Sequence, residues 1–263
     1  MTPAATRWTE ELAAWAVPEH ILASAVRRPF VFPPEMFAAP AAGPRSRSTQ
    51  VAAEALDGGG SVLDVGCGGG AAAFALVPPA AQVIGTDRQE DMLGLFAATA
   101  AERDVPARTV HGSWPEVADL VEVADVVVCH NVLYNAPDLV GFACALDGHA
   151  RRRVVIELTE RHPQTARAPL WQHFWALDRP TGPDASLAAE VLRDAGLPVV
   201  LEQSAPTSRD AERAAPVEAA FWCRQLCLPS ERQDEVAALL RDLPFPAERV
   251  TLWWDTAGRA GAG

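Results

Sequence analysis

Two acids that each close a short apolar run are the residues best placed to do chemistry. Asp64 stands two positions before the first glycine of Val62-Leu63-Asp64-Val65-Gly66-Cys67-Gly68-Gly69-Gly70, and Asp87 ends Val83-Ile84-Gly85-Thr86-Asp87, twenty-one positions after Gly66. Apolar residues running into a glycine turn that opens a helix let the backbone approach a ligand closely. Gly66, Gly68 and Ala71 also fit the dinucleotide fingerprint, so a nicotinamide-dependent oxidoreductase is the competing reading. Asp64 separates the two. At a strand's carboxyl end, facing the crevice, a carboxylate repels a pyrophosphate and instead pairs with an ammonium group, directly or through backbone and water.

That charge pattern points to a sulfonium ligand bearing an amino acid, S-adenosylmethionine, whose carboxylate the following helix N-terminus can host. Asp87 is then placed to accept both ribose hydroxyls. Met92, with Leu93, can pack on the adenine, and His111-Gly112-Ser113-Trp114 follows the third strand at the height of the adenine edge. The expected cofactor contacts are Asp64, Gly66, Cys67, Gly68, Gly70, Asp87, Arg88, Met92, Gly112, Ser113, Trp114 and His130.

Methyl transfer from a sulfonium is an in-line displacement with an activated leaving group, so alignment and exclusion of water dominate. A base is needed only where the acceptor carries a proton. His130 and the chain's only tyrosine, Tyr134, leave the fourth strand at the switch point where such sheets bind ligands. His162 precedes an aromatic stretch with Trp171, Phe174 and Trp175, and His173 lies within it; His130, Tyr134, His162 and His173 are the four catalytic candidates. Their spacing suggests no metal site. Trp15, Phe30, Phe32 and Phe37 are candidates for a lid.

Apolar runs alternating with Ala-rich helical stretches from Ser61 onward predict βα units on a parallel sheet. Strands are expected at 62–65, 82–86, 107–110, 125–129, 153–158, 198–203 and 249–254. Helices are expected at 9–16, 19–26, 46–56, 70–77, 89–102, 115–121, 137–147, 185–195, 209–227 and 230–242. The fold class is therefore a doubly wound α/β sheet. Residues 1–60 read as an N-terminal helical cap, and residues 61–263 as the core, with insertions at 160–183 and 207–246.

A net charge of -12 gives no basic footprint for a phosphate backbone, so nucleic acid is not the expected partner; a small organic molecule is. All 22 basic residues are arginines, and the absence of lysine excludes Schiff-base enzymes, P-loop hydrolases and kinases. The five cysteines form no Cys-x-x-Cys pair and read as buried free thiols. No signal pattern or run of 18 apolar residues occurs, so a cytoplasmic protein with no membrane span is expected.

The motifs at 63–70, 84–93 and 124–139 resemble the class I S-adenosylmethionine-dependent methyltransferase family, over roughly residues 46–205. The resemblance implies a seven-stranded Rossmann-like sheet with its last strand antiparallel, and cofactor at the carboxyl ends of strands one, two and four. Gly66, Gly68 and Gly70 would face the methionine part, Asp87 the ribose and residues near Ser113 the adenine. The whole-chain pattern is also similar to methyltransferases of high-GC actinobacteria, a likeness that brings no substrate with it. Two departures stand out: the run at 111–114 lacks the acid that many relatives carry there, and two helices separate the last strands where the simple family has a hairpin. A catalytically silent protein that keeps the cofactor pocket is a further alternative.

Overall fold

The computed structural model describes residues 1–36, 46–56, 58–204, 215–243 and 248–256. Seven strands form one sheet: β1 Ser61–Val65, β2 Gln82–Asp87, β3 Ala107–His111, β4 Ala124–His130, β5 Ala150–Thr159, β6 Val200–Ser204 and β7 Arg249–Asp255. Their order is β3-β2-β1-β4-β5-β7-β6, with β7 antiparallel to both neighbours and the others parallel where they pair. Every expected strand is present within a few residues of its predicted ends.

Side chains alternate across the sheet and feed two cores. Val62, Val126, Val128 and Val155 point to one face, covered by α3 Arg47–Glu54, α4 Ala71–Phe74 and α5 Glu90–Glu102. Leu63, Val127, Val154 and Ile156 point to the other, covered by α1 Pro3–Ala13, α6 Leu139–His149 and α8 Ala185–Asp194. Local sequence sets these helices. Thr2 caps α1 through the Ala5 amide, with Pro3 in its first turn, so the helix begins six residues before its predicted start. Ser46 caps α3, Asp138 caps α6 and Asp184 caps α8 in the same way.

A third core joins stretches that are far apart in sequence. Ile21 from α2 Glu19–Leu22, Leu170 and Trp171 from α7 Ala168–Trp175, Cys223 from α9 Ala215–Gln225 and Val236 from α10 Gln233–Leu240 pack together. α7 follows the end of β5, and α9 and α10 lie between the end of β6 and the start of β7. That places this cap at the sheet's carboxyl edge, the edge that also bears the glycine turn.

Packing thus divides the chain differently from a boundary at residue 60. α1 lies against α8 and α6, and α3 against β5 and β7, so both belong to the sheet layers, while α2 joins the cap. The stretch 160–183, an insertion with no helix expected, contains α7, started by Pro169 in its first turn and ended by a left-handed Ala176. The helix expected at 115–121 is only a 3-10 turn, Ala118–Leu120, with no side-chain cap and no buried residue of its own. Phe37 and residues 209–214 of the predicted ninth helix lie outside the described residues. No helix among the described residues is long and apolar enough to cross a membrane.

Candidate active site

The glycine turn is tied to the end of β2. The amides of Gly66 and Cys67 both donate to the Thr86 carbonyl at 2.9 Å, and the Gly68 amide donates to Asp87 Oδ2 at 3.0 Å. Gly66 and Gly68 have φ of 70° and 50°, the left-handed region that glycine enters without cost. A Cβ on Gly66 would overlap the Val132 side chain, so the turn beyond β4 sits directly against the turn beyond β1.

Asp87 holds the crevice together. Its Oδ1 accepts the Gln89 amide at 2.8 Å and its backbone carbonyl accepts the Gly112 amide at 3.0 Å. Each carboxylate oxygen takes one backbone donor, and an ionised carboxylate offers about four acceptor sites, so capacity for two hydroxyl donors remains. Gln89 also clasps the N-terminal segment: its side chain accepts from the Phe32 amide at 3.1 Å and donates to the Phe32 carbonyl at 3.0 Å. Phe32 in turn stacks on Phe221 of α9, centroids 5.6 Å apart.

Asp64 does not face the crevice. It is 1% exposed, and Oδ2 accepts the Ala73 amide of α4 at 3.1 Å. Burial, with Asp87 nearby, pushes its carboxyl up to about 8 although the Ala73 amide opposes the shift. Direct pairing with a ligand ammonium is therefore corrected: one step along β1 from Leu63, Asp64 falls on the α3–α4–α5 face and anchors the helix that follows the turn. Cys67 also turns inward, its sulfur beside Gly85, and burial pushes its thiol well up. Gly70 faces Phe74 and Phe96 and serves packing. Only the backbones of Cys67 and Gly70 remain for a ligand.

Around the expected adenine position, Met92 is buried at the first turn of α5, Gly112 packs on Val117, and Arg88 and Ser113 are exposed. Trp114 is corrected. Its indole donates to the Phe142 carbonyl at 3.3 Å and meets His149 edge-on at 4.9 Å, so it packs on α6.

Three of the four catalytic candidates are also committed elsewhere. Tyr134 is buried, donates to the Thr159 carbonyl at 2.8 Å and stacks on Trp8; burial raises its hydroxyl further above the usual phenol value. His162 stacks on Trp15 at 4.0 Å and its Nδ1 accepts the Gln164 amide at 3.3 Å. Burial, aided by Arg179, holds it down to about 3, so it is neutral at physiological pH. His173 is exposed on α7 and pairs with Glu235 of α10 at 2.9 Å.

His130 alone remains at the carboxyl end of the sheet. It is partnered in register with Glu157 across β4 and β5, and burial holds its imidazole below the ordinary value, Glu157 raising it and Arg249 lowering it further. Glu157, Ser48, Gln89 and Arg249 were given no role from sequence. The available signal was one acid interrupting the apolar run Val154-Val155-Ile156-Glu157-Leu158.

Residues 62–150 match the family model described as Methyltransferase domain. No curated protein matches the chain. Among solved structures it is similar to magnesium protoporphyrin IX methyltransferase (ChlM) from Synechocystis PCC 6803, at 17% identity, with 80% of each chain covered and a TM-score of 0.53. It is similar to the YcgJ protein from Bacillus subtilis at 14% identity, covering 80% of this chain and 97% of that one, TM-score 0.53. A third structure, concerned with conversion of a disulfide bond into a thioacetal group during echinomycin biosynthesis, matches at 18% identity over 81% of this chain and 83% of that one, TM-score 0.52. These likenesses establish the shared fold. A dinucleotide sheet runs 3-2-1-4-5-6 in parallel, whereas here an antiparallel β7 separates β5 from β6. With that topology, the match identifies residues 62–150 as a methyltransferase domain.

Proposed function

We propose that the enzyme methylates an oxygen or nitrogen of a small organic acceptor, using S-adenosylmethionine held at the turns beyond β1, β2 and β4. The residues present suit that cofactor: the Gly66 turn leaves no room for a side chain, and the half-buried Asp87 carboxylate retains acceptor sites for a ribose diol. Gly66 and Gly68 would lie along the methionine part, Asp87 on the ribose, and Met92 and Ser113 beside the adenine. The similar ChlM structure carries bound S-adenosylhomocysteine. When bound, the cofactor supplies a methyl group on a positively charged sulfur, so the chain's own task is to orient the acceptor, exclude water and take up a proton. His130, neutral and at the carboxyl end of β4, is the residue for that proton.

The observation that carries the small acceptor is the cap. Three separate stretches of chain build one apolar helical cluster on the ligand edge of the sheet, which suits a molecule that can be enclosed. The acidic chain, at -12, disfavours a nucleic acid in the same place. Calorimetry with S-adenosylhomocysteine and with NAD comes first, and binding of NAD alone would overturn the cofactor. Methyl-labelled S-adenosylmethionine is then incubated with small-molecule, protein and RNA fractions of a cell extract. Label in the small-molecule fraction is expected; label only in protein or RNA would overturn the acceptor class.

A further inference from the structure

His130 and Glu157 end neighbouring strands as direct register partners. Each lies two positions beyond a valine, Val128 and Val155, of the core under α3, so both side chains point toward the first turn of that helix. There the Ser48 hydroxyl donates to Glu157 Oε2, and Ser46 also reaches the carboxylate. Ser46 and Ser48 are themselves 2.7 Å apart, so the start of α3 holds the carboxylate from one side. From the other side stands Arg249, at the start of β7, which donates to Asn131 Oδ1 at 2.9 Å.

Charge follows from this arrangement. Burial opposes ionisation of Glu157, but His130, the serine hydroxyls and Arg249 outweigh it and hold the carboxyl below its ordinary value. The imidazole therefore faces an ionised carboxylate from β5 and a guanidinium from β7, and no other charged group among the described residues bears on it. Its Nε2 is enclosed and has no hydrogen-bond partner among the described residues. An enclosed polar atom without a partner is costly and is kept where it gains one at another stage of the protein's work.

The position is also the right one. Asp64 pairs with Val128, so two steps further along each strand His130 stands level with Gly66, and Val132 closes the gap against that glycine.

Building on the proposed methyl transfer, we infer that Glu157 is the positioning residue of the reaction, the register partner against which His130 takes up the acceptor's proton. The acceptor's electron pair forms the new bond to the methyl carbon while the carbon–sulfur pair stays on sulfur. The acceptor's O–H or N–H bond gives its proton to the imidazole, which becomes a cation against Glu157 and later releases the proton to solvent.

The test reads the imidazole itself. In an NMR titration of the six histidines of the full chain without cofactor, His130→Gln identifies the His130 signal. Glu157→Gln, which removes the negative neighbour, is expected to lower the His130 midpoint by about one unit or more. The acidic limb of kcat/KM should move down with it while the plateau kcat falls about tenfold or more. Glu157→Asp keeps the charge one methylene further back and should give a smaller fall, which serves if the glutamine variant does not fold. An unmoved His130 midpoint in a folded variant would overturn the inference. Failure of the underlying cofactor reading shows differently, as wild-type protein that does not bind S-adenosylhomocysteine, with the titration still readable.

Discussion

The two halves of the sheet use similar residues in different ways. In the half built from β1 to β3, short turns place backbone amides and one carboxylate at the crevice, and the chain leaves little choice of geometry. In the half built from β4 to β7, long connections carry Trp171, Phe174, Trp175 and Trp222 into a cap, where they pack into one apolar cluster. The strand-end acids show the contrast within the first half. Asp64 lies within β1 and Asp87 ends the adjacent β2, and one is buried beneath α4 while the other binds the loop amide of Gly68. What separates them is depth along the sheet: Asp64 pairs with Gly85, and Asp87 stands two residues further toward the carboxyl edge on the same face, where the glycine turn lies.

Gly66→Ala should break the cofactor half most severely. The added Cβ meets Val132 at a positive φ, which predicts a loss of at least about 2 kcal/mol in denaturant unfolding and of more than about a hundredfold in S-adenosylhomocysteine affinity. Val132→Ala in the same chain should recover part of the stability, leaving the backbone strain.

Asp64 gives the next largest effect, visible in pH. Its folded carboxyl titrates near 8 against an ordinary value of 3.8, so the folded state binds the proton more tightly and stability falls as pH rises from about 4 to about 8. Thermal melts should show that fall in the wild type, amounting to a few kcal/mol, and Asp64→Asn should flatten it. An unchanged slope in the variant would return Asp64 to the crevice.

Asp87→Ala should weaken S-adenosylhomocysteine by about 1–3 kcal/mol in calorimetry, since a charge-assisted acceptor and the anchor of Gly68 are both lost. The smallest effects test the cap half. Tyr134→Phe should cost about 1 kcal/mol of stability, the worth of the bond to Thr159, and leave kcat unchanged. His173→Ala, on an exposed pair, should alter stability by no more than about 0.5 kcal/mol and leave turnover intact. A large loss of kcat in either would place that residue back at the reaction.

Much of the fold was legible because its signals are local. Apolar runs alternating with Ala-rich helical stretches predicted every strand and most helices to within a few residues. The glycine turn and Asp87 were readable for the same reason, being contiguous residues whose backbone must take one conformation. The helix hidden in 160–183 was not readable, since only two turns form and their burial depends on Ile21 and Cys223.

The sequence by itself determined the βα order, the glycine turn and the acids at the strand ends, because pleat, cap and turn chemistry act over a few neighbouring residues. Only the tertiary structure decided which acid faces the crevice and which histidine stands free of packing. It also decided that Glu157 lies beside His130 and that three distant stretches form one cap. Those outcomes are set by strand register and by long-range burial, which bring together residues that no short spacing links.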